Sequence, residues 1–469
     1  MKRIYLDYAA TTPVDPLVKK AMEPYFCQKF GNPSSLHFFG QEAMAAIDES
    51  REKIAKVIGA NFREVIFTGS ATEANNLALR GIIKGFRFQV LGFSNKNQKY
   101  TLTPNTQNLT PRIIVSAIEH ESILETVRDL ESEDVEVIYL PVDREGLVDL
   151  KKLKESLNER TVLVSIMYAN NEIGTIQPIS AIVEIVRKFR MQNAELRKNN
   201  SKFLIDPLGI CLRQKHNSEL ATALPLLHTD AVQSFQYLDC DVNKLGVDLM
   251  TLSSHKIYGP KGAGALYIRN PKHEIRNSKQ ILNTKSQTPN KQVSNFDIRI
   301  SNLQQLVKPI VVGGGQEFGF RSGTENVAAI VGFAKAVGLI SNSRELENKR
   351  VKKLSDYFWK ELKKINPKVQ INGASDVRCR ALGVNKLPNI LNIYFPGKLS
   401  EDLLIKLDLA GVAVSGGSAC SARASKPSYV LKSCGLAENR IKSSLRFSLG
   451  RFTTKAEIDE AIKRIGPVV

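Results

Sequence analysis

The feature that most constrains this chain is a repeated alternation of short β-branched runs with helical stretches. Val65-Ile66-Phe67-Thr68 and Arg112-Ile113-Ile114-Val115-Ser116 have strand character, as do residues 135–140, 162–167, 226–231, 249–253 and 265–269. Helical patterns fall between them, at 72–81 and 179–190. Strands that alternate with helices predict a mostly parallel, doubly wound sheet, hence an α/β fold. Past about Ser343 the pattern changes. A charged helix over 344–365 leads to shorter strands at 391–394 and 412–414, which predicts a second domain. The length of 469 residues suits one large and one small domain.

Three segments break the rhythm. Residues 85–110 are rich in Asn, Gln and Thr, 195–223 are polar and irregular, and 272–308 are rich in Lys, Asn, Gln and Ser. Connections this long are uncommon inside compact domains, so they are expected to be surface insertions away from the chemistry.

Composition excludes several classes. Hydrophobic residues at 42% and charged residues at 24% are ordinary for a soluble protein. No apolar run approaches the roughly 18 residues of a membrane span. Met1-Lys2-Arg3-Ile4-Tyr5-Leu6-Asp7 meets an acid before an apolar stretch forms, so no secretory signal is expected and the expected compartment is the cytoplasm. The six cysteines form no C-x-x-C pair, which favours reduced thiols and no metal site. The net charge of +19 is spread among acids, which favours a solvated surface over direct nucleic-acid binding.

Three constellations gain meaning together. Phe67-Thr68-Gly69-Ser70-Ala71-Thr72-Glu73-Ala74-Asn75 ends a strand and opens a helix, so backbone N–H groups at Ala71 and Thr72 suit an anion. Alone it is an ordinary capped helix. Asp230, in His228-Thr229-Asp230-Ala231-Val232-Gln233-Ser234, sits where an apolar strand runs out, the edge where open sheets hold ligands. Alone it is equally a helix cap. Lys256, in Ser253-Ser254-His255-Lys256-Ile257-Tyr258-Gly259-Pro260-Lys261-Gly262, enters a Gly/Pro turn after a strand. Partial desolvation there frees its amine for a Schiff base; alone it is a loop lysine. Pyridoxal phosphate needs a lysine, an acid against the ring nitrogen and a phosphate cradle, and these three supply one each.

Cys420 differs from the other cysteines. Its neighbours in Val414-Ser415-Gly416-Gly417-Ser418-Ala419-Cys420-Ser421-Ala422-Arg423 are too small and polar to bury it, and Arg423 favours a thiolate. His120, in Ile118-Glu119-His120-Glu121-Ser122, lies just past a strand at the same sheet edge, with ring stacking, proton transfer or a structural role open to it. Arg446, inside the apolar run Ser444-Leu445-Arg446-Phe447-Ser448, is open to two roles: a fork onto a substrate carboxylate, or a structural ion pair.

Several motifs in order resemble the NifS/IscS-type cysteine desulfurases of the class V aminotransferase family. They are Leu6-Asp7-Tyr8-Ala9-Ala10-Thr11-Thr12-Pro13, Phe30-Gly31-Asn32-Pro33-Ser34-Ser35, Asn170-Asn171-Glu172-Ile173-Gly174, the Lys256 turn, and Arg321-Ser322-Gly323-Thr324. Ser418-Ala419-Cys420 is similar to the group whose catalytic cysteine sits on an extended mobile loop. One departure is the order Gly69-Ser70, where the family usually has Ser-Gly.

The resemblance implies a homodimer of the pyridoxal-phosphate fold type I. Its large domain, at 16–344, would hold a mostly parallel seven-stranded sheet. A smaller α+β domain would comprise 1–15 and 345–469. Residue by residue, it implies that Lys256 carries the cofactor and Asp230 pairs with its ring nitrogen. Gln233 would bond the phenolic oxygen, and His120 would stack on the ring and move protons. Ala71, Thr72, Ser253 and His255 would hold the phosphate, joined by Thr324 from the other subunit. Asn171 and Arg446 would hold the substrate carboxylate. The implied reaction turns L-cysteine into L-alanine and a Cys420 persulfide. The sulfur would go to an iron–sulfur scaffold or a tRNA-thiolation enzyme, with a transient iron–sulfur cluster at Cys420 among the implied states. Selenocysteine lyase would use the same residues. Another lyase or aminotransferase would leave Cys420 without a purpose, and a basic RNA-binding protein would need an aromatic RNA motif that the sequence does not offer.

Overall fold

The computed structural model describes residues 2–90, 110–199, 224–270, 306–374, 385–417 and 427–469. Seven strands form the main sheet: β2 (Val65–Thr68), β3 (Arg112–Ser116), β4 (Glu136–Leu140), β5 (Thr161–Ser165), β6 (Leu226–Asp230), β7 (Leu249–Ser253) and β8 (Gly264–Ile268). Their spatial order is β2-β8-β7-β6-β5-β3-β4. The pairs β3–β4, β3–β5, β5–β6 and β6–β7 are parallel, while β8 runs antiparallel to both β2 and β7.

Every residue of β2, β5, β6, β7 and β8 is buried. Continuous apolar runs, without polar alternation, are what a sheet covered on both faces requires. In β2, Val65 and Phe67 enter one core and Ile66 the other, following the two-residue side-chain period. The first core packs against Ile47 and Ile54 of the helix Phe38–Ile58, Ile182 of Ile179–Asn199 and Phe333 of Val327–Ile365. The second packs against Leu77 and Phe86 of Ala71–Val90 and Ile123 of Glu121–Glu131.

A separate core of Leu6, Val351, Phe358, Leu391, Phe395, Leu445, Phe447 and Ile458 lies under a three-stranded antiparallel sheet. Its order is β12 (Ser444–Ser448), β10 (Ile390–Tyr394), β9 (Gln370–Ile371). Beside it, β1 (Ile4–Tyr5) pairs in parallel with β11 (Val412–Ala413). The expected division at residue 344 falls inside one continuous helix, Val327–Ile365. Ala334 and Ile340 in its first part join the sheet core, and Val351 and Phe358 in its second part join the other core.

The edges of the expected insertions need correcting. The helix Ala71–Val90 runs past Gly85, and Ile179–Asn199 runs past residue 195. Glycine weakens a helix by about 1 kcal/mol, which makes Gly85 look like a breaker. Here a Cβ at Gly85 would stand 1.7 Å from the Leu306 carbonyl oxygen, so glycine permits a close approach instead. Leu306 and Val307, expected inside the third insertion, are buried in the second core. Residues 91–109, 200–223 and 272–305 lie outside the described residues.

Candidate active site

The carboxyl ends of β3, β5, β6 and β7 and the start of one helix converge on a pocket of about 200 Å³. Ala71, Thr72, His120, Asn171, Asp230, Gln233, His255, Lys256 and Arg446 line it, together with Ala9, Ala10, Ser70 and Ser122. Nine of the expected site residues therefore meet in one place although they are scattered along the chain.

Lys256 closes a single 3-10 turn, Ser254–Lys256, directly after β7. Its Nζ donates to the carbonyl oxygens of Ala9 at 2.6 Å and Ala10 at 2.7 Å. These carbonyls belong to the N-terminal arm, which is fastened to the same turn. Thr12 donates through its backbone N–H and its hydroxyl to the His255 carbonyl, and the Thr12 hydroxyl accepts from the Tyr258 N–H at 2.8 Å. Gln233 Nε2 also donates to the Ala9 carbonyl, at 2.9 Å.

Asp230 ends β6 and is 5% exposed. One carboxylate oxygen accepts from the Val232 N–H and the other from Asn75 Nδ2, both at 2.9 Å. His120 caps the helix Glu121–Glu131, its Nδ1 accepting from the Ser122 N–H at 3.1 Å. Burial holds the His120 pKa below its ordinary value; Asp230 opposes this and Lys256 adds to it. His255, with Nδ1 at 3.1 Å from the Thr11 hydroxyl, is pushed down to about 4, first by burial and then by Lys256, Lys261 and His120. Both imidazoles are therefore neutral near pH 7.

Arg446, on β12, is 1% exposed. It pairs with Asp7 at 2.8 Å and donates to the Asn171 carbonyl at 2.9 Å. The structural ion pair and the pocket position are thus both real. The side-chain Oδ1 of Asn171 is buried and has no partner.

Thr324 lies outside this pocket and is exposed, on the loop before Val327–Ile365. Ser253 is buried beneath the Lys256 turn without lining the pocket. Cys420 and Arg423 lie outside the described residues. The segment that leads toward them is anchored at Ser415, whose backbone exchanges hydrogen bonds with Arg446 at 2.7 and 3.1 Å.

The aminotransferase class-V family profile matches residues 4–89, 100–193 and 215–461. The chain belongs to that family. Among its relatives, cysteine desulfurase IscS of Dictyoglomus turgidum is 39% identical over 460 residues, 98% of this chain and 93% of that protein. Putative cysteine desulfurase IscS 1 of Bacillus subtilis is 35% identical over 470 residues, 100% of this chain and 99% of that one. A solved NifS-like protein superposes with a TM-score of 0.73 at 30% identity, over 99% of both chains. A structure of SspA in complex with cysteine superposes at 0.67 and 28% identity, over 96% of this chain and 100% of that one. The place of the chain in the class-V family is among the NifS/IscS-like cysteine desulfurases, with the fold type I sheet that goes with it.

The pocket fits a phosphorylated pyridine aldehyde of the kind class-V enzymes use. Asn171, in the lining, carries a buried Oδ1 without a partner. The first-turn N–H groups of Ala71–Val90 have no acceptor within their own helix. Gly264 on β8 lets the Ser70–Ala71 backbone sit against the sheet, since a Cβ there would stand 2.7 Å from the Ser70 carbonyl carbon. A carboxylate and a lysine amine line the same pocket, the two groups that the ring nitrogen and the aldehyde require.

Sequence reasoning missed four contributors: the carbonyls of Ala9 and Ala10, and the side chains of Asn75 and Ser122. Ala9 stands 247 residues from Lys256, a separation no local pattern reveals. Asn75 did leave a signal. It follows Ala71 by four positions, so both occupy one helix face.

Proposed function

We propose that the chain removes sulfur from L-cysteine, giving L-alanine and a persulfide on Cys420, with pyridoxal phosphate held at Lys256. One observation carries this reading: a lysine amine, a buried carboxylate and a helix start line the same pocket in a relative of cysteine desulfurases. Pyridoxal phosphate, when bound, supplies a conjugated ring that takes up the charge of a deprotonated α-carbon.

The protein groups divide the remaining work. Ala71, Thr72, Ser253 and His255 would hold the phosphate, with Thr324 of a second copy completing the cradle. Asp230 would pair with the ring nitrogen and Gln233 would bond the phenolic oxygen. His120 would stack on the ring and present Nε2–H. Asn171 and Arg446 would hold the substrate carboxylate. Lys256 would take the substrate's α-proton at Nζ. The thiolate of Cys420 then attacks the substrate sulfur. The carbon–sulfur bond breaks, a sulfur–sulfur bond forms on Cys420, and the carbon regains a proton to become alanine. The persulfide passes to an acceptor protein, an iron–sulfur scaffold or a tRNA-thiolation enzyme. The working unit is a homodimer in the cytoplasm, each subunit divided into a large domain at 16–344 and a small one at 1–15 and 345–469.

The test is incubation with L-cysteine in the absence of reductant, followed by peptide mass spectrometry. Cys420 should gain one sulfur atom as alanine appears. Alanine without sulfur on Cys420, or no alanine from a pyridoxal-phosphate-loaded protein, would sink the assignment.

A further inference from the structure

Along the pocket wall, His120, Ser122, Asn75 and Asp230 form one hydrogen-bonded chain, with only Asn75 set behind the lining. Asn75 Nδ2 donates to Asp230 Oδ2 at 2.9 Å and to the Ser122 hydroxyl at 2.8 Å. The Ser122 hydroxyl lies 2.9 Å from His120 Nδ1, and the Ser122 N–H donates to the same nitrogen at 3.1 Å. Each link sets the direction of the next. Asp230 accepts, so Asn75 must turn its NH2 group toward it, and the second amide hydrogen goes to Ser122. An oxygen that accepts from Asn75 keeps its own hydrogen for Nδ1. Two donors then converge on that nitrogen, which leaves the ring proton on Nε2.

Asn75 is 1% exposed, and its Oδ1 is buried with no partner. An orphaned buried carbonyl is unfavourable, yet a flipped amide would set that oxygen against the Asp230 carboxylate. The amide is thus held in an orientation that satisfies Asp230 and Ser122 at its own expense.

We propose that Asn75 and Ser122 are positioning residues that lock His120 as a neutral imidazole, with Nε2–H left for the pocket, and join it to Asp230 as one unit. The inference deepens the proposed function, on which it rests for what Nε2–H meets. A neutral His120 could lie over a ring whose nitrogen the Asp230 carboxylate would keep protonated, without placing two cations face to face. The charged and titratable groups acting on His120 are Asp230 from β6, and Lys256 and His255 from the turn after β7. Glu119 precedes it in the chain but turns its carboxylate to the Met167 N–H at 2.7 Å, and burial pushes that carboxyl well above the usual carboxylate range.

The experiment is a titration of His120 by nitrogen NMR on the full chain, labelled at histidine, before and after pyridoxal phosphate is added. The wild type should show Nδ1 unprotonated and Nε2 protonated. Asn75→Ala and Ser122→Ala should each raise the proton affinity of His120 about ten-fold, the scale of one hydrogen bond lost from the neutral ring. The double variant should exceed neither single one by much, since both cut the same chain. Ser122→Thr, which keeps the hydroxyl, should restore the wild-type midpoint. Wild-type titration in both alanine variants, or effects that simply add, would overturn the proposal. Failure of the wild type to take up pyridoxal phosphate would instead overturn the cofactor assignment, while the titration of the unloaded chain still decides the role of Asn75 and Ser122.

Discussion

Cys240 and Cys434 are almost fully buried, and burial pushes both thiols up to about 12. At neutral pH neither offers a thiolate to attack sulfur. Cys420→Ala should therefore abolish alanine formation from L-cysteine while leaving the spectrum of the bound cofactor intact. Cys240→Ala and Cys434→Ala should keep most activity, as should replacements of Cys27, Cys211 and Cys379. Coupled assays of alanine with absorption spectra check this, and an essential cysteine other than Cys420 would refute it. Arg446 invites a second substitution. Its guanidinium spans Asp7 and the Asn171 carbonyl, a geometry that a lysine ammonium does not reproduce. Arg446→Lys should raise the KM for L-cysteine about ten-fold or more with less effect on cofactor binding. An unchanged KM would return Arg446 to a purely structural role.

Among the elements, β6 carries two polar residues on one face. Asp230 serves the pocket, and His228, two residues earlier, is buried deeper. His228 lies between the hydroxyls of Ser165 on β5, at 2.8 Å, and Thr251 on β7, at 3.0 Å. Burial alone lowers its pKa from 6.5 to about 3. The unfolded chain therefore binds the proton more readily. The stabilisation due to neutral His228 is complete above pH 6.5 and is lost progressively as pH falls toward about 3. Urea midpoints measured across that window should fall with acidification, and less steeply in His228→Gln. Equal slopes would count against the assignment. These strands were legible because a sheet covered on both faces demands unbroken apolar runs, and predicted edges differ from observed ones by a residue or two. Gly85 misled because glycine reports a need for space as readily as a break. The site was legible wherever strand ends and turns announced it, at Asp230 and Lys256. It was not legible where distant backbone supplies the partner, as Ala9 does.

In the whole molecule, Thr324 is exposed on a loop that also exposes Val312 and Phe318. Exposed apolar side chains beside an expected cofactor ligand suit contact with a second copy. Light scattering should report a dimer, and Thr324→Ala should weaken pyridoxal phosphate binding in it; a fully active monomer would refute both. The N-terminal arm has a consequence for how the molecule is made. Residues 4–12 emerge from the ribosome before their partners, yet β1 pairs with β11, Asp7 pairs with Arg446, and the same arm supplies both carbonyls that hold Lys256. At about 5–20 residues per second, the arm waits tens of seconds for its partners to be translated. The large sheet can collect its strands during that time and Thr12 can meet the Lys256 turn, while β1 and Asp7 stay unpaired. The core that joins Leu6 to Leu445 and Phe447 therefore closes last.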